Sequence, residues 1–482
     1  MGRRDPRHGS GRSLRWLPVV LVLAVLVAAT ATYRFDLGDR WFGLGSPDPS
    51  TDPAAVPPPP GLSLPPLRAP APVARALDAA DGGLDPAQVR RALAPGLDDP
   101  DLGRHLLASV TALDEPTPVF ERGAGAATPA STMKLLTAAA ALATLGPEHT
   151  FTTKVVTDRR NRIVLVGGGD PYLASRPPAD PSTYPRRADV VTLARATARA
   201  LRQDGTRRVR LGYDDSLFQG PLLDPSWPDD YAPDGVVAPI TALWVDEGRP
   251  ANGIGRVADP PATAAAVFAE ALRRSGVAVA GDPEHRRADS DAVPLASVAS
   301  APLARIVEQT LVVSDNEAAE VLAHHVGLAT GGTGSFAGGA HGVQAVLGEL
   351  GVPFTGARVY DGSGLSRRNR LPPPTLTAVL RLAASRDHPE LRPVLTGLPV
   401  AGFTGSLESR FDEAPPQGRG RVRAKTGTLT GVSSLAGVAT DLDGNPMAFV
   451  LMADRVALLD TLDARDALDA MAAALGACHC GR

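Results

Sequence analysis

The sequence predicts a mixed α/β (α+β) fold, an antiparallel sheet flanked by helices and interrupted by a large inserted region. Three observations carry this expectation. Alternating apolar and polar residues recur in "LGRHLLASVTAL" and "PTPVFERG", and again near the other end of the chain in "RVRAKTGTLTGVSSLAGVATDLDGNPMAFVLMAD", where Asp443-Gly444-Asn445 signals a hairpin turn. Helix-forming runs with end signals lie between these strands, in "STMKLLTAAAALATLG" and "PLARIVEQTLVVSDNEAAEVLAHHVGLAT". Between the two helical runs the texture changes to short strands and glycine-proline turns, which marks an insertion with its own core.

At 482 residues the chain has room for two or three cores. Its net charge of -3 supplies no basic field, so nucleic acid is not an expected partner. Arg3, Arg4, Arg7, Arg12 and Arg15 precede an uncharged run from Trp16 to Tyr33. That pattern predicts a basic cytoplasmic segment over 1–15 and a signal anchor or removable signal peptide over 16–33, with Ala29-Thr30-Ala31 as a candidate cleavage site. Residues 34–72 are rich in proline, including Pro57 to Pro60, and predict an extended linker. The protein is therefore expected in the cell envelope, outside the cytoplasm, attached to or exported across the membrane through its N-terminal segment.

The folded part is expected as one domain split into 73–155 and 297–482, with 156–296 inserted. "DPAQVRRAL" reads as a short helix. The helix containing Lys134 is bounded by Pro129 upstream and Gly146-Pro147 downstream. "RIVLVGGGDPYL" and "ATAAAVFAEALRRSGV" exemplify the mixed strands and helices of the insertion. A helix from about Val456 to Leu475 is expected to close the fold. The two cysteines, Cys478 and Cys480, are too close to staple a large structure and lack the ligand set of a structural zinc site, which predicts a loose or oxidised tail.

Only three of the 49 basic residues are lysine: Lys134, Lys154 and Lys425. Arginine stays protonated, whereas a buried lysine can lose its charge and act as a base. Ser131 lies three residues before Lys134, so a helical backbone sets both side chains on one face. A serine hydroxyl becomes a good nucleophile when a neighbouring base takes its proton. Ser-x-x-Lys alone is a common chance pattern. Two further triplets follow it in order: Ser314-Asp315-Asn316 in a turn between helices, and Lys425-Thr426-Gly427 at the start of a predicted strand. Separately the first is an ordinary helix cap and the second is bland. Together they add a second hydroxyl, an amide and a cationic strand edge to the serine and lysine.

At these motifs the sequence resembles the penicillin-recognising serine enzymes, the penicillin-binding proteins and serine β-lactamases. Within them it is most similar to the D-alanyl-D-alanine carboxypeptidase/endopeptidase family, low-molecular-mass penicillin-binding proteins with a long insertion. The long interval between Ser131 and Ser314 and the segments "YDDSLF", "DGSGLSRRNRL" and "AKTGTLTGVSSLAG" carry that resemblance. It implies the penicillin-binding-protein/serine β-lactamase-like fold and cleavage of D-Ala-D-Ala bonds in peptidoglycan stem peptides through an acyl-enzyme. It also implies β-lactams as covalent inhibitors, with no metal or other cofactor. Carried over by position, Ser131 is the implied nucleophile and Lys134 its base. Ser314 passes the proton to the leaving D-alanine, and Asn316 holds the peptide amide. Lys425 and Thr426 receive the terminal carboxylate, Gly427 permits close approach, and the N–H groups of Ser131 and Thr428 form the oxyanion hole. Val438 stands where the family pattern leads one to expect an aromatic. A serine β-lactamase is the alternative in the same chemistry, and a catalytically silent wall-binding scaffold is the alternative outside it.

Other candidates have simpler readings. Asp361 to Ser366, "DGSGLS", reads as a loop bordering the cleft, and the glycine-rich stretches at Gly253 and Gly332 lack the strand–helix context of a dinucleotide site. His324 and His325 read as structural, and Asp170, Asp214 and Asp215 as turn formers.

Overall fold

The chain enters the described structure through α1 (Pro86–Leu97), where Asp85 accepts the N–H of Ala87 and proline occupies the first turn. This computed structural model describes residues 83–482 except Arg160, Pro181 and Glu413. The expectations for 1–15, 16–33 and 34–72 lie outside those residues. Among the described residues, no helix is long and apolar enough to cross a membrane.

β1 (Leu106–Ala112) and β2 (Pro118–Arg122) follow, then a tight 3-10 turn at Ala130–Met133 that leads into α2 (Lys134–Leu145). Next come β3 (Thr152–Arg159), β4 (Arg162–Val166), α3 (Val190–Gln203), β5 (Arg208–Asp214), α4 (Pro260–Arg274), β6 (Ala278–Val279), β7 (Glu284–His285) and β8 (Val293–Ala299). The helices α5 (Leu303–Val312), α6 (Asn316–Ala329), α7 (Phe336–Glu349), α8 (Pro373–Ala384) and the short α9 (Arg392–Thr396) precede a final three-stranded meander. That meander is β9 (Val422–Leu429), β10 (Val432–Thr440) and β11 (Pro446–Ala453), and α10 (Thr461–Gly476) completes the fold.

The strands form two sheets. One is five-stranded in the order β2-β1-β11-β10-β9, with every pairing antiparallel. β11 lies at its centre and reads "PMAFVLMA", apolar on both sides, because helices cover both faces of the sheet. Leu107, Ala436, Ala448, Val450 and Met452 face a cluster built from α2 and α5 to α8. Val110, Leu435, Phe449 and Leu451 face the cluster of α1 and α10. Each fully buried side chain of this size contributes about 1.5–3 kcal/mol. Val438 packs against the first cluster while partly buried.

The second sheet has the order β6-β5-β4-β3-β8, with β7 also pairing with β5. β4 and β5 are parallel, joined by α3, whereas β3 pairs antiparallel with both β4 and β8. Its separate core joins Val155, Ile163 and Leu211 to Leu193 of α3 and Phe268 of α4.

α2 is buried over nearly its whole length, from Lys134 to Leu142. A helix enclosed on all sides needs apolar residues all round, and its alanines leave room for α6, α7 and α8 to pack closely. Its N-terminal end carries Ser131 and Lys134 to the edge of the five-stranded sheet.

Three local expectations need correction. Ser131 sits in the 3-10 turn rather than inside the helix, which begins only at Lys134. Lys425 to Gly427 fall in the middle of β9, since Val422 and Ala424 already alternate into the core. The last helix starts at Thr461, because Val456 donates its N–H to Gly431 and Leu458–Asp460 form a separate turn. The C-terminal tail, expected to be loose or oxidised, is oxidised, and it is docked onto the fold. Cys478 and Cys480 are joined by a disulfide, Cys480 is fully buried, and the N–H of Asp85 donates to the Cys480 carbonyl at 2.8 Å.

Candidate active site

The site is built around the turn that precedes α2. Ala130 holds φ 46°, a left-handed conformation that costs a non-glycine residue about 1–3 kcal/mol. Its neighbours clamp it there. The Ser434 hydroxyl donates to the Pro129 carbonyl at 2.6 Å. A Cβ on Gly427 would meet Ser434 Oγ at 2.2 Å and Pro129 O at 2.6 Å, so β9 lies directly against the turn. On another side, a Cβ on Gly364 would meet the Ala130 carbonyl at 1.9 Å, and Gly364 itself has φ 88°. Only glycine fits at either contact.

This packing leaves Ser131 half-buried and Lys134 completely enclosed. Lys134 Nζ donates to Ser131 Oγ at 3.0 Å, to Asn316 Oδ1 at 2.8 Å and to the Ser363 carbonyl at 2.7 Å. Burial pushes its pKa down from 10.5 to about 8, opposed first by Glu320 and then by Asp361, Asp315 and Glu317. An amine in that range is available as a base near neutrality.

Asn316 opens α6, which Asp315 caps by accepting the Ala318 N–H at 2.9 Å. Ser314 precedes the cap at φ 60°, half-buried, and its hydroxyl makes no hydrogen bond among the described residues. Lys425 stands opposite Ala436 in the sheet, fully buried, and donates to the Thr426 carbonyl at 2.9 Å. Burial drives its pKa well below 10.5, and repulsion from Lys134 and Arg410 adds to the effect. That repulsion puts both lysines in one electrostatic neighbourhood. The hydroxyls of Thr426 and Ser406 lie 2.9 Å apart, while Thr428 is exposed at the end of the strand and paired with Ser433.

Direct hydrogen bonds thus join Ser131, Lys134 and Asn316, Ser314 lies two residues from Asn316, and β9 presents Lys425 to Thr428 along the opposite edge. Sequence reasoning missed the supports. The Ser363 carbonyl comes from the "DGSGLS" loop, whose shape is held by Asp361: its carboxylate accepts from the N–H groups of Gly364 and Ser366, from Asn369 Nδ2 and from Trp227 Nε1. The buried Glu320 accepts from the N–H groups of Gly362 and Ser363. Arg256 pairs with Glu317 at 2.7 Å behind the Ser-Asp-Asn turn. The available signal was Glu317 and Glu320 on the largely apolar helix after Asn316, since buried carboxylates need partners.

His324 and His325 are buried, each pushed down to about 4 by desolvation, and each ring is held against a backbone carbonyl. Asp170 and Asp214 accept N–H bonds two residues ahead, the expected turn chemistry. A cavity of about 960 Å³ lined by Asp114, Arg381 and Asn445 contains none of the residues above.

The family model described as D-Ala-D-Ala carboxypeptidase 3 (S13) matches residues 89–252 and 249–475. A carboxypeptidase of Mycobacterium tuberculosis is 37% identical over 429 residues, covering 86% of this chain and 90% of that protein. Carboxypeptidase DacB of Mycolicibacterium smegmatis is 35% identical over 470 residues, 96% of both chains. The solved structure of penicillin binding protein 4 from Haemophilus influenzae superposes with a TM-score of 0.63 at 21% identity, covering 78% of this chain and 94% of that one. The same protein has been solved with a β-lactam.

Proposed function

Since the chain belongs to the D-Ala-D-Ala carboxypeptidase 3 (S13) family and is a serine-type D-Ala-D-Ala carboxypeptidase with the penicillin-binding-protein fold, we propose that Ser131 is its acylated nucleophile and Lys134 the base that activates it. The observation that carries this reading is the 3.0 Å contact between the fully buried Lys134 Nζ and the Oγ of the half-buried Ser131. With a pKa of about 8, roughly a tenth of Lys134 is neutral at pH 7, enough for general-base catalysis.

In the proposed reaction Lys134 takes the Ser131 proton as Oγ bonds to the penultimate D-alanine carbonyl carbon. The N–H groups of Ser131 and Thr428 receive the developing oxyanion, a contribution of about 2.7–4 kcal/mol for one well-placed donor. The C–N bond then breaks, the proton passes through Ser314 to the leaving D-alanine amine, and water later hydrolyses the Ser131 ester. Asn316 orients Lys134 and binds the peptide amide. Lys425 and Thr426 bind the terminal carboxylate. The Lys425 ammonium spends one donor on Thr426 O, and an incoming carboxylate would restore the charge that burial disfavours.

β-Lactams are proposed to acylate the same hydroxyl, as is endopeptidase cleavage of cross-linked stem peptides at the same site. The proposed organisation is a catalytic domain of 73–155 and 297–482 with residues 156–296 inserted, preceded by a signal anchor or removable signal peptide at 16–33 and a proline-rich linker at 34–72. Penicillin treatment followed by mass spectrometry and peptide mapping tests the assignment. The adduct is expected on the peptide containing Ser131, and a Ser131→Ala variant that releases D-alanine at the parent rate overturns it.

A further inference from the structure

We infer that Glu320 is a positioning residue for the reaction, setting both the place and the protonation of Lys134 through the backbone of residues 362–363. The inference rests on the reading of Lys134 as the base. Glu320 lies one helical turn beyond Asn316 on α6 and is fully buried. Its two carboxylate oxygens accept from successive backbone groups, Oε2 from the Gly362 N–H at 2.9 Å and Oε1 from the Ser363 N–H at 2.7 Å. The carbonyl of that same Ser363 accepts from Lys134 Nζ at 2.7 Å. One residue of backbone therefore separates an acid from an amine that do not touch.

This arrangement does two things. It fixes the carbonyl that orients Nζ toward Ser131, and the short distance to a buried carboxylate favours the protonated amine. Both Glu320 oxygens serve as acceptors, which suits the ionised form. Burial and the neighbouring Asp361 push its pKa up, while the Gly362 and Ser363 N–H bonds oppose them. The other charged groups facing Lys134 are Asp361 from the loop and Asp315 and Glu317 from the start of α6, with Lys425 across the cleft. Gly362 has no room for a side chain, since a Cβ would meet the Ala323 Cβ at 2.6 Å and the Ala319 carbonyl at 2.9 Å, so the loop is pressed onto α6 where Glu320 can reach it.

The test is the pH dependence of acylation by a fluorescent penicillin in the parent, Glu320→Gln, Glu320→Asp and Lys134→Ala proteins. Glu320→Gln removes the charge and faces a backbone N–H with an amide donor. Its high-pH plateau is expected to fall about tenfold or more, with the acidic limb displaced toward lower pH by about one unit. Glu320→Asp keeps the charge on a shorter stem, so its plateau falls while its limb stays near the parent's. A merely structural role would lower the melting temperature of both variants and leave both limbs in place, and that result overturns the inference, as does a limb that moves equally in the two. Lys134→Ala separates the two levels. If it still acylates, the base assignment itself is wrong, whereas loss of acylation there with an unmoved Glu320→Gln profile overturns only the role of Glu320.

Discussion

Lys154 and Lys134 are both rare lysines in an arginine-rich chain, one in each sheet region, and they end in opposite surroundings. Lys154 lies on β3 of the six-stranded sheet, exposed between Val166 and Ser297. Lys134, beside the five-stranded sheet, is fully buried, as is Lys425 within it. The residue type is shared and the burial is not. Enclosure removes water from the ammonium and lowers its pKa, which makes a solubilising group a candidate base. The six-stranded region has a core of its own, yet its lysine stays in water because alternate residues of an edge-proximal strand face out.

The sharpest way to break this contrast is to swap the buried lysine for arginine. Lys134→Arg keeps a cation that cannot give up its proton, and D-alanine release is expected to fall by about 10²–10⁴-fold. A variant that keeps most of the parent's turnover would show that Lys134 acts only as a charge. The pH profile sharpens the same point. Lys134 is neutral above its pKa of about 8 and protonated below it, so kcat/KM should rise with pH and level off above that value. On the acidic side it should drop by about tenfold per pH unit, and a profile flat from pH 6 to 9 would remove Lys134 from the role of base.

A smaller effect is expected where the two elements of the site meet. Gly427→Ala would push a methyl group against Ser434 Oγ and Pro129 O, at a cost of about 1–3 kcal/mol in denaturant unfolding together with slower acylation. An unchanged unfolding midpoint would mean that β9 does not clamp the turn that carries Ser131. The smallest effect is reserved for the other lysine. Lys154→Gln should alter stability by less than about 0.5 kcal/mol and leave D-alanine release untouched. A large loss there would mean that the six-stranded region governs the site through its exposed face.

The motifs that hold the candidate site were legible as words in the chain: Ser131 with Lys134, Ser314 with Asn316, and Lys425 through Thr428. Their partners were less so. Asp361 to Ser366 reads as a loop at the cleft, but nothing local reveals that the Ser363 carbonyl meets Lys134. Trp227 and Arg256 belong to the interval between the first two motifs, and their contacts with Asp361 and Glu317 span 134 and 61 positions of sequence. Glu320 is separated by 42 and 43 positions from the two backbone donors that hold it, at Gly362 and Ser363. The oxidised tail was legible but its docking was not, since the groups that hold Cys480, at Asp85 and Asp441, are far away in sequence.

Caps, periodicity and turn residues act over a few positions, which is why the helices, the hairpin and the order of the three motifs could be read from neighbouring residues alone. Folding was needed to bring Ala130 into its left-handed turn, to seat Gly427 and Gly364 against it, and to withdraw Lys134 from water. Those outcomes depend on which distant surfaces exclude solvent, and no single stretch of chain contains both sides of such a contact.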